Sequence, residues 1–302
     1  MDEEVVKKYI EAGRIARIVR DEAAKLIEPG RSVLEVCTYV ENRIRELGAA
    51  PAFPCNISIN EIAAHYSPVV GDETSIPEGA VVKLDIGVHV DGYIADTAVT
   101  VTLDEKWAQL LEAVEDALAR AIELVKPGVK FAEVGRAIEA AIKNKGFKPI
   151  TNLGGHSLAR YTIHAGESIP NAYDALVRGK FSSGKAYAIE PFGTNGAGLV
   201  YEGELVTIYA LVRSSLRRRL DPRTKRILEA VKERFKTLPF NERWLTDVEE
   251  DVEVLRRSLR KLARMGYLVQ YPVLIERNHG MVAQFEHTIV ITDNGEVIVT
   301  TK

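Results

Sequence analysis

Only two cysteines, Cys37 and Cys55, occur in 302 residues, and they form no C-x-x-C pair. That excludes a disulfide framework and points to a reducing compartment. No stretch of about 18 uncharged apolar residues is present, which excludes a membrane-spanning helix. The opening MDEEVVKKYIEAGRIARIVRDEA lacks the apolar core of a secretion signal, so a cytoplasmic protein is expected. Several motifs are missing too. H-E-x-x-H and G-x-S-x-G do not occur. The segment G-K-F-S-S-G-K-A from Gly179 has Ala186 where a phosphate loop needs Ser or Thr. Gly193, Gly196 and Gly198 have the wrong spacing for a dinucleotide fingerprint. What is there is average in composition: 46% hydrophobic, 27% charged, net charge −3. A chain this long buries roughly 75% of the surface its unfolded form exposes. It needs no staple.

An internal repeat organises the chain. L-I-E-P-G at Leu26–Gly30 returns as L-V-K-P-G at Leu124–Gly128, an offset of 98. At the same offset Glu35 falls on Glu133, Val40 on Ile138, Glu41 on Glu139, Gly48 on Gly146 and Pro51 on Pro149. Each copy reads as an amphipathic helix ended by Pro-Gly, a second helix capped by glycine, then strands rich in β-branched residues. The first strand pair is VVKLDIGVHV and YIADTAVTVTL around an Asp91–Gly92 turn. Strands of the second half are KAYAIEPF, ELVTIYALV, MVAQFEHTIVIT and EVIVT. Two α/β halves related by a pseudo-two-fold axis are expected, with sheet inside and helices outside. A site is expected where they meet.

Residues 213–264 break the symmetry with helical patterning and end in the apolar GYLVQYPVLI. They carry 16 Lys and Arg against 9 Asp and Glu, a net +7 that leaves about −10 on the rest. Arg217, Arg218 and Arg219 fit a solvated face or a contact with nucleic acid or the ribosome.

Chemistry-bearing residues stand on the strands. In the hairpin closed by Asp91–Gly92, an odd position on one strand shares a face with an even position on the other. Asp85 and Asp96 are therefore on one face, opposite or diagonal. Two buried like charges need a proton or a cation between them. Alone, such a pair is more often an accident of an edge strand. Glu190 in AYAIEPFG and Glu286 in MVAQFEHTIVI repeat the pattern, and His156 sits after paired glycines in N-L-G-G-H-S. Four carboxylates and an imidazole suit divalent cations, two better than one. His65 and His164 stand beside apolar residues without an evident structural partner. Were 156–164 one straight strand, those two imidazoles would lie about 26 Å apart, so either one is outside the site or the chain loops back. His89, His279 and His287 read as structural.

These segments together resemble the methionine aminopeptidases: K-L-D-I-G with a second Asp eleven residues on, G-G-H-S with I-H following, I-E-P-F-G and Q-F-E-H-T. N-x-x-A-A-H-Y, Y-x-I-H-A-G and the insert before the last acid resemble type 2, without the long charged N-terminal extension of eukaryotic members, hence archaeal-like. The resemblance implies an α+β "pita-bread" fold: two pseudo-symmetric halves, a central curved antiparallel sheet and outer helices. It places the catalytic domain at 1–212 and 269–302, and a winged-helix-like insert at 213–268. It implies removal of the initiator methionine from nascent proteins by hydroxide activated on two metals, with a small second residue preferred. It puts Asp85, Asp96, His156, Glu190 and Glu286 on two divalent ions (Co, Mn, Fe or Zn), with Asp96 and Glu286 bridging. Glu190 would also move protons. His65 and His164 would flank the scissile peptide, either one donating to the oxyanion. Phe53, Ile163 and Tyr271 would line the methionine pocket. One departure is Ile208, where eukaryotic members have histidine. A monomer without membrane attachment, with a ribosome contact through the basic insert, is the expected setting. Competing readings are a prolidase or aminopeptidase P of the same fold, and a non-catalytic binding protein.

Overall fold

The computed structural model describes residues 1–212 and 219–302. Arg217 and Arg218 lie outside the described residues. The first half runs α1 (Glu3–Ala24), α2 (Val33–Glu46), β1 (Ala50–Ile59), β2 (Ile62–Ala64), β3 (Val81–Val90) and β4 (Tyr93–Thr102). The second runs α3 (Ala108–Leu124), α4 (Phe131–Asn144), β5 (Lys148–Pro149), β6 (Gly154–Leu158), β7 (Ser168–Pro170), β8 (Lys185–Ile189), β9 (Phe192–Thr194) and β10 (Val200–Leu211). Then come α5 (Pro222–Arg234), β11 (Phe240–Asn241), α6 (Val252–Arg264), β12 (Leu268–Glu276), β13 (Val282–Gln284), β14 (His287–Ile291) and β15 (Val297–Val299). No described helix is long and apolar enough to cross a membrane.

The repeat is realised in three dimensions. Shifted by 98, α2 coincides with α4 residue for residue. Gly48 and Gly146, just past these helices, take φ 86° and 84°, left-handed values that glycine adopts without Cβ strain. Each helix pair buries one face on its own half. Ile15, Val19, Val36, Val40 and Ile44 pack on Leu84 and Ile86 of β3, while Val114, Leu118, Val134 and Ile138 pack on Tyr187, Ile189 and Ile289. The pita-bread arrangement, with antiparallel strands inside and helices outside, is the one observed.

A seam of hydroxyl groups joins the halves. Thr288 Oγ1 accepts from Asp96 N at 2.7 Å and donates to Asp96 O at 2.8 Å. Thr100 Oγ1 does the same for Gln284, at 2.8 and 2.6 Å. Between them Glu286 and Ala98 form an isolated antiparallel bridge, Glu286 N donating to Ala98 O at 3.0 Å. Threonine side chains thus span a gap where a regular ladder would use main chain alone, and the N–H and C=O of Asp96 and Gln284 keep partners there.

Residues 219–267 do not join this layering. Helices α5 and α6 share a separate cluster of Ile227, Leu228, Val231, Phe240, Leu245, Leu255, Leu259 and Leu262 over the β10–β12 ribbon. Asp221 and Asp251 cap the two helices, each accepting main-chain N–H bonds in the first turn.

Candidate active site

β3 pairs with β4 so that Asp85 faces Ala98 and Gly87 faces Asp96. Asp85 and Asp96 are therefore diagonal neighbours on one face. Glu190 and Glu286 differ from the sequence expectation in one respect: neither lies inside a strand. Glu190 follows β8, where Pro191 has no N–H to continue the ladder. Glu286 sits in the break between β13 and β14. Both breaks bring their carboxylates to the seam.

His156 lies on β6 between β7 and β8, opposite Ser168 and Ala188. Its Nε2 is 3.3 Å from Glu190 Oε1 and 3.7 Å from Asp96 Oδ2. Donor atoms of Asp96, His156 and Glu286 fall within 4.8 Å of one another. The chain loops back after His156, through Ala159 N to Thr162 O and Ala165 N to Ser157 O at 2.8 Å. His164 thereby returns to His156, ring centroids 4.4 Å apart. His65, on the other wall, stands edge-on to Tyr271 at 5.5 Å, and Tyr271 is 6.0 Å from His164.

All of these groups line one cavity of about 430 Å³ together with Phe53, Ile163, Ile208, Pro239 and Tyr271. Phe53 reaches it across Gly87, where a Cβ would fall 2.2 Å from its ring. The base is acidic and the upper wall apolar. His89, His279 and His287 lie outside, His287 holding Thr301 Oγ1 at 2.9 Å.

Burial, and then the charge of Glu190, push the Asp85 carboxyl up to about 8. Burial raises Glu190 to about 8. Asp96 and Glu286 are pushed well above the carboxylate range by burial first and by the neighbouring acids second. Burial holds His156 and His65 down at about 4, hence neutral. Asp85 Oδ1, Asp96 Oδ1 and Glu286 Oε1 are buried without a partner among the described residues. A cluster of this kind has too much negative charge for its depth.

The sequence matches the profile of "Metallopeptidase family M24" over residues 7–293. The chain belongs to that family. Within M24, it is 50% identical over 297 residues to the methionine aminopeptidase of Pyrococcus abyssi, covering 98% of this chain and 99% of that one. It is 46% identical over 302 residues to that of Saccharolobus solfataricus, covering 100% and 99%. The crystal structure of methionine aminopeptidase from Thermotoga maritima superposes with a TM-score of 0.72 at 23% identity, over 100% of this chain and 98% of that one.

M24 proteins are metallopeptidases, and the donor set here fits a divalent metal. Hard carboxylate oxygens and one neutral imidazole converge, and the orphaned oxygens lack the cation that would offset their burial. One consequence is measurable in metal-free protein between pH 7 and 8.5. The folded imidazoles held near 4 are neutral there. An unfolded one of pKa about 6.5 still carries about a quarter of a proton at pH 7 and almost none above about pH 8. Histidine therefore opposes the trend only at the lower end, and the upper half of the window reports the acids. Asp85 and Glu190 have folded pKa values near 8, above their unfolded ones. Their contribution to stability is complete in acid and is lost as pH rises through 8. The melting temperature of metal-free protein is expected to fall across this window, and saturating Mn²⁺ to suppress the fall. Parallel pH profiles with and without Mn²⁺ would contradict the assignment.

Two residues belong to the site that motif reading passed over. Asn56 faces Asp85 across β1 and β3, its buried Oδ1 unpartnered among the described residues. Gln284 donates from Nε2 to Asp85 Oδ2 at 3.3 Å and to Glu190 Oε2 at 3.4 Å, one acid from each half. The signal was there: Gln284 stands two residues before Glu286, the spacing of a shared face in the strand that MVAQFEHTIVI predicts. Gln284→Leu is expected to weaken Mn²⁺ binding about 10–100-fold by calorimetry, since partners that orient ligands carry that much. Unchanged affinity would remove Gln284 from the site.

Proposed function

We propose that the protein releases the N-terminal methionine of polypeptides, as a methionine aminopeptidase of the type 2, archaeal-like form. One observation carries it: acids from both halves meet a neutral imidazole at the base of an apolar-walled cavity. The full-length likeness to methionine aminopeptidases supports the same activity. The helical module before Glu286, and the archaeal origin of these two relatives, support the subtype.

Asp85, Asp96, His156, Glu190 and Glu286 would hold two divalent ions (Mn, Fe, Co or Zn). Such ions, when bound, polarise the scissile carbonyl and lower the pKa of water beside it. The chain's own groups do the rest. Phe53, Ile163, Ile208 and Tyr271 offer the methionine thioether an apolar, shape-tolerant wall. His65 Nδ1 lies 3.1 Å from Pro272 O. A carbonyl can only accept, so Nδ1 carries the proton and Nε2 is left as an acceptor. His65 therefore suits a substrate N–H, and the role of donor to the developing oxyanion falls to His164. Glu190, already held by Gln284 through Oε2, is placed to pass a proton from Oε1 to the leaving amine.

The test is metal-supplemented release of methionine from Met-Ala-Ser, compared with Met-Leu-Ser and with an Xaa-Pro dipeptide. Met-Ala-Ser is expected to be cleaved well above the other two. Cleavage of the Xaa-Pro dipeptide alone would favour a prolidase. The setting that goes with this reading is a monomer in the cytoplasm, and two buried free cysteines support the reducing compartment. A ribosome contact through 213–268 completes it, supported by that segment's net +7. Salt-sensitive cosedimentation with ribosomes checks the last point.

A further inference from the structure

A second cavity of about 290 Å³ adjoins the first and shares His65, Asn152, Leu153, Tyr271 and Leu274 with it. Its far side is lined by Tyr201, Glu202, Gln270 and Pro272. The opening has a local cause. His65 takes φ 67°, which ends β2 and turns the chain away from β12. Pairing between β2 and β12 stops at Ala64 and Leu274. Pro272 aims its carbonyl at His65 on that side. Alternation along a strand turns the main-chain N–H and C=O of Gln270 the same way. Among the described residues no strand pairs with β12 there.

The walls are suited to an extended chain. Tyr201 is 43% exposed and stands over an apolar floor of Leu153 and Leu274. Its strand is fixed by Asn152, whose Nδ2 donates to Val200 O at 2.8 Å while its Oδ1 accepts from Val200 N at 2.9 Å. Glu202 is the charged residue of the lining, and none of the lining residues is Lys or Arg.

We infer that this cavity holds the third and fourth residues of the substrate polypeptide as a short strand added to the free edge of β12. Tyr201 covers that strand, and Glu202 favours a basic side chain over an acidic one. The inference deepens the methionine-release reading and rests on it. Main-chain pairing is indifferent to side chains, which suits an enzyme that must accept almost any sequence beyond its second residue.

The experiment compares Met-Ala with Met-Ala-Ser-Lys and Met-Ala-Ser-Asp on the wild type, Tyr201→Ala and Glu202→Lys. Both substituted residues are exposed, so the fold is unaffected. The wild type is expected to show kcat/KM about 10-fold higher for the tetrapeptides, the value of one or two added hydrogen bonds. Tyr201→Ala is expected to remove most of that gain while leaving Met-Ala unchanged. Glu202→Lys should reverse the Lys-over-Asp preference. N-methylation should remove the gain at only one of the third and fourth residues, the one whose N–H faces β12, because successive N–H groups of a strand point to opposite edges. Equal rates for the dipeptide and tetrapeptides in the wild type, or variants that slow both alike, overturn the inference. Should no peptide lose methionine, the activity reading fails by itself. Calorimetric titration of Met-Ala-Ser-Lys then decides the cavity alone, weaker binding to Tyr201→Ala supporting it and equal binding overturning it.

Discussion

His164→Ala is expected to lower kcat for a Met-Ala peptide by about 10²–10³, the loss seen when one oxyanion donor is removed elsewhere. Metal binding should survive. His164 touches the site through the rings of His156 and Tyr271, and no carboxylate of the cluster bonds to it among the described residues. Its ring opens toward the cavity, so truncation leaves no buried void and the fold should hold. The measurement pairs kcat with metal content of the same sample. A variant that turns over at nearly the wild-type rate with its metals in place would end the oxyanion role. Loss of metal along with activity would instead make His164 a support for His156.

The second large effect is on stability. Arg243→Leu is expected to cost about 3–5 kcal/mol, the penalty for stranding a buried partner charge. That partner is Glu41 on α2, whose side chain is 3% exposed against 10% for Arg243. Two parallel bonds join them at 2.6 and 2.9 Å. Trp244 Nε1 adds a third to the same carboxylate at 2.7 Å, and Arg243 Nε holds Pro68 O at 2.7 Å. Remove the guanidinium and Glu41 must stay charged without a cation or take up a proton. Urea unfolding of both proteins measures the cost. By contrast the Lys7–Glu3 pair lies on the surface with side chains 70% and 84% exposed, and Lys7→Ala is expected to change little. An Arg243→Leu midpoint equal to the wild type would mean the ion pair contributes nothing net.

How far the sequence reached can be judged from single positions. Helix periodicity and Pro-Gly punctuation located α1 to α4 and their repeat, because local propensity and one apolar face suffice to define a surface helix. The shared face of Asp85 and Asp96 followed from strand alternation and a two-residue turn. The meeting of Glu190 and Glu286 with these acids rested on their apolar surroundings, since nothing local aims one strand at another. Whether His164 comes near His156 stayed open, because a loop of eight residues has no periodicity to read. The Thr100 and Thr288 bridges were invisible for a related reason: a threonine in a strand looks like any β-branched residue until its partner is in place.

By itself the sequence determined the two-fold plan and the shared strand face of Asp85 and Asp96, which depend on spacing within a segment. Only the tertiary structure decided what those groups experience. Glu41 and Glu139 occupy equivalent places in the repeat, yet Glu41 is buried against Arg243 whereas Glu139 bonds Lys143 at the surface. The same division holds for His65, whose tautomer is set by a carbonyl 207 residues away. Solvent exposure and long-range partners fix charge, tautomer and orientation, and neither is encoded in any local stretch of chain.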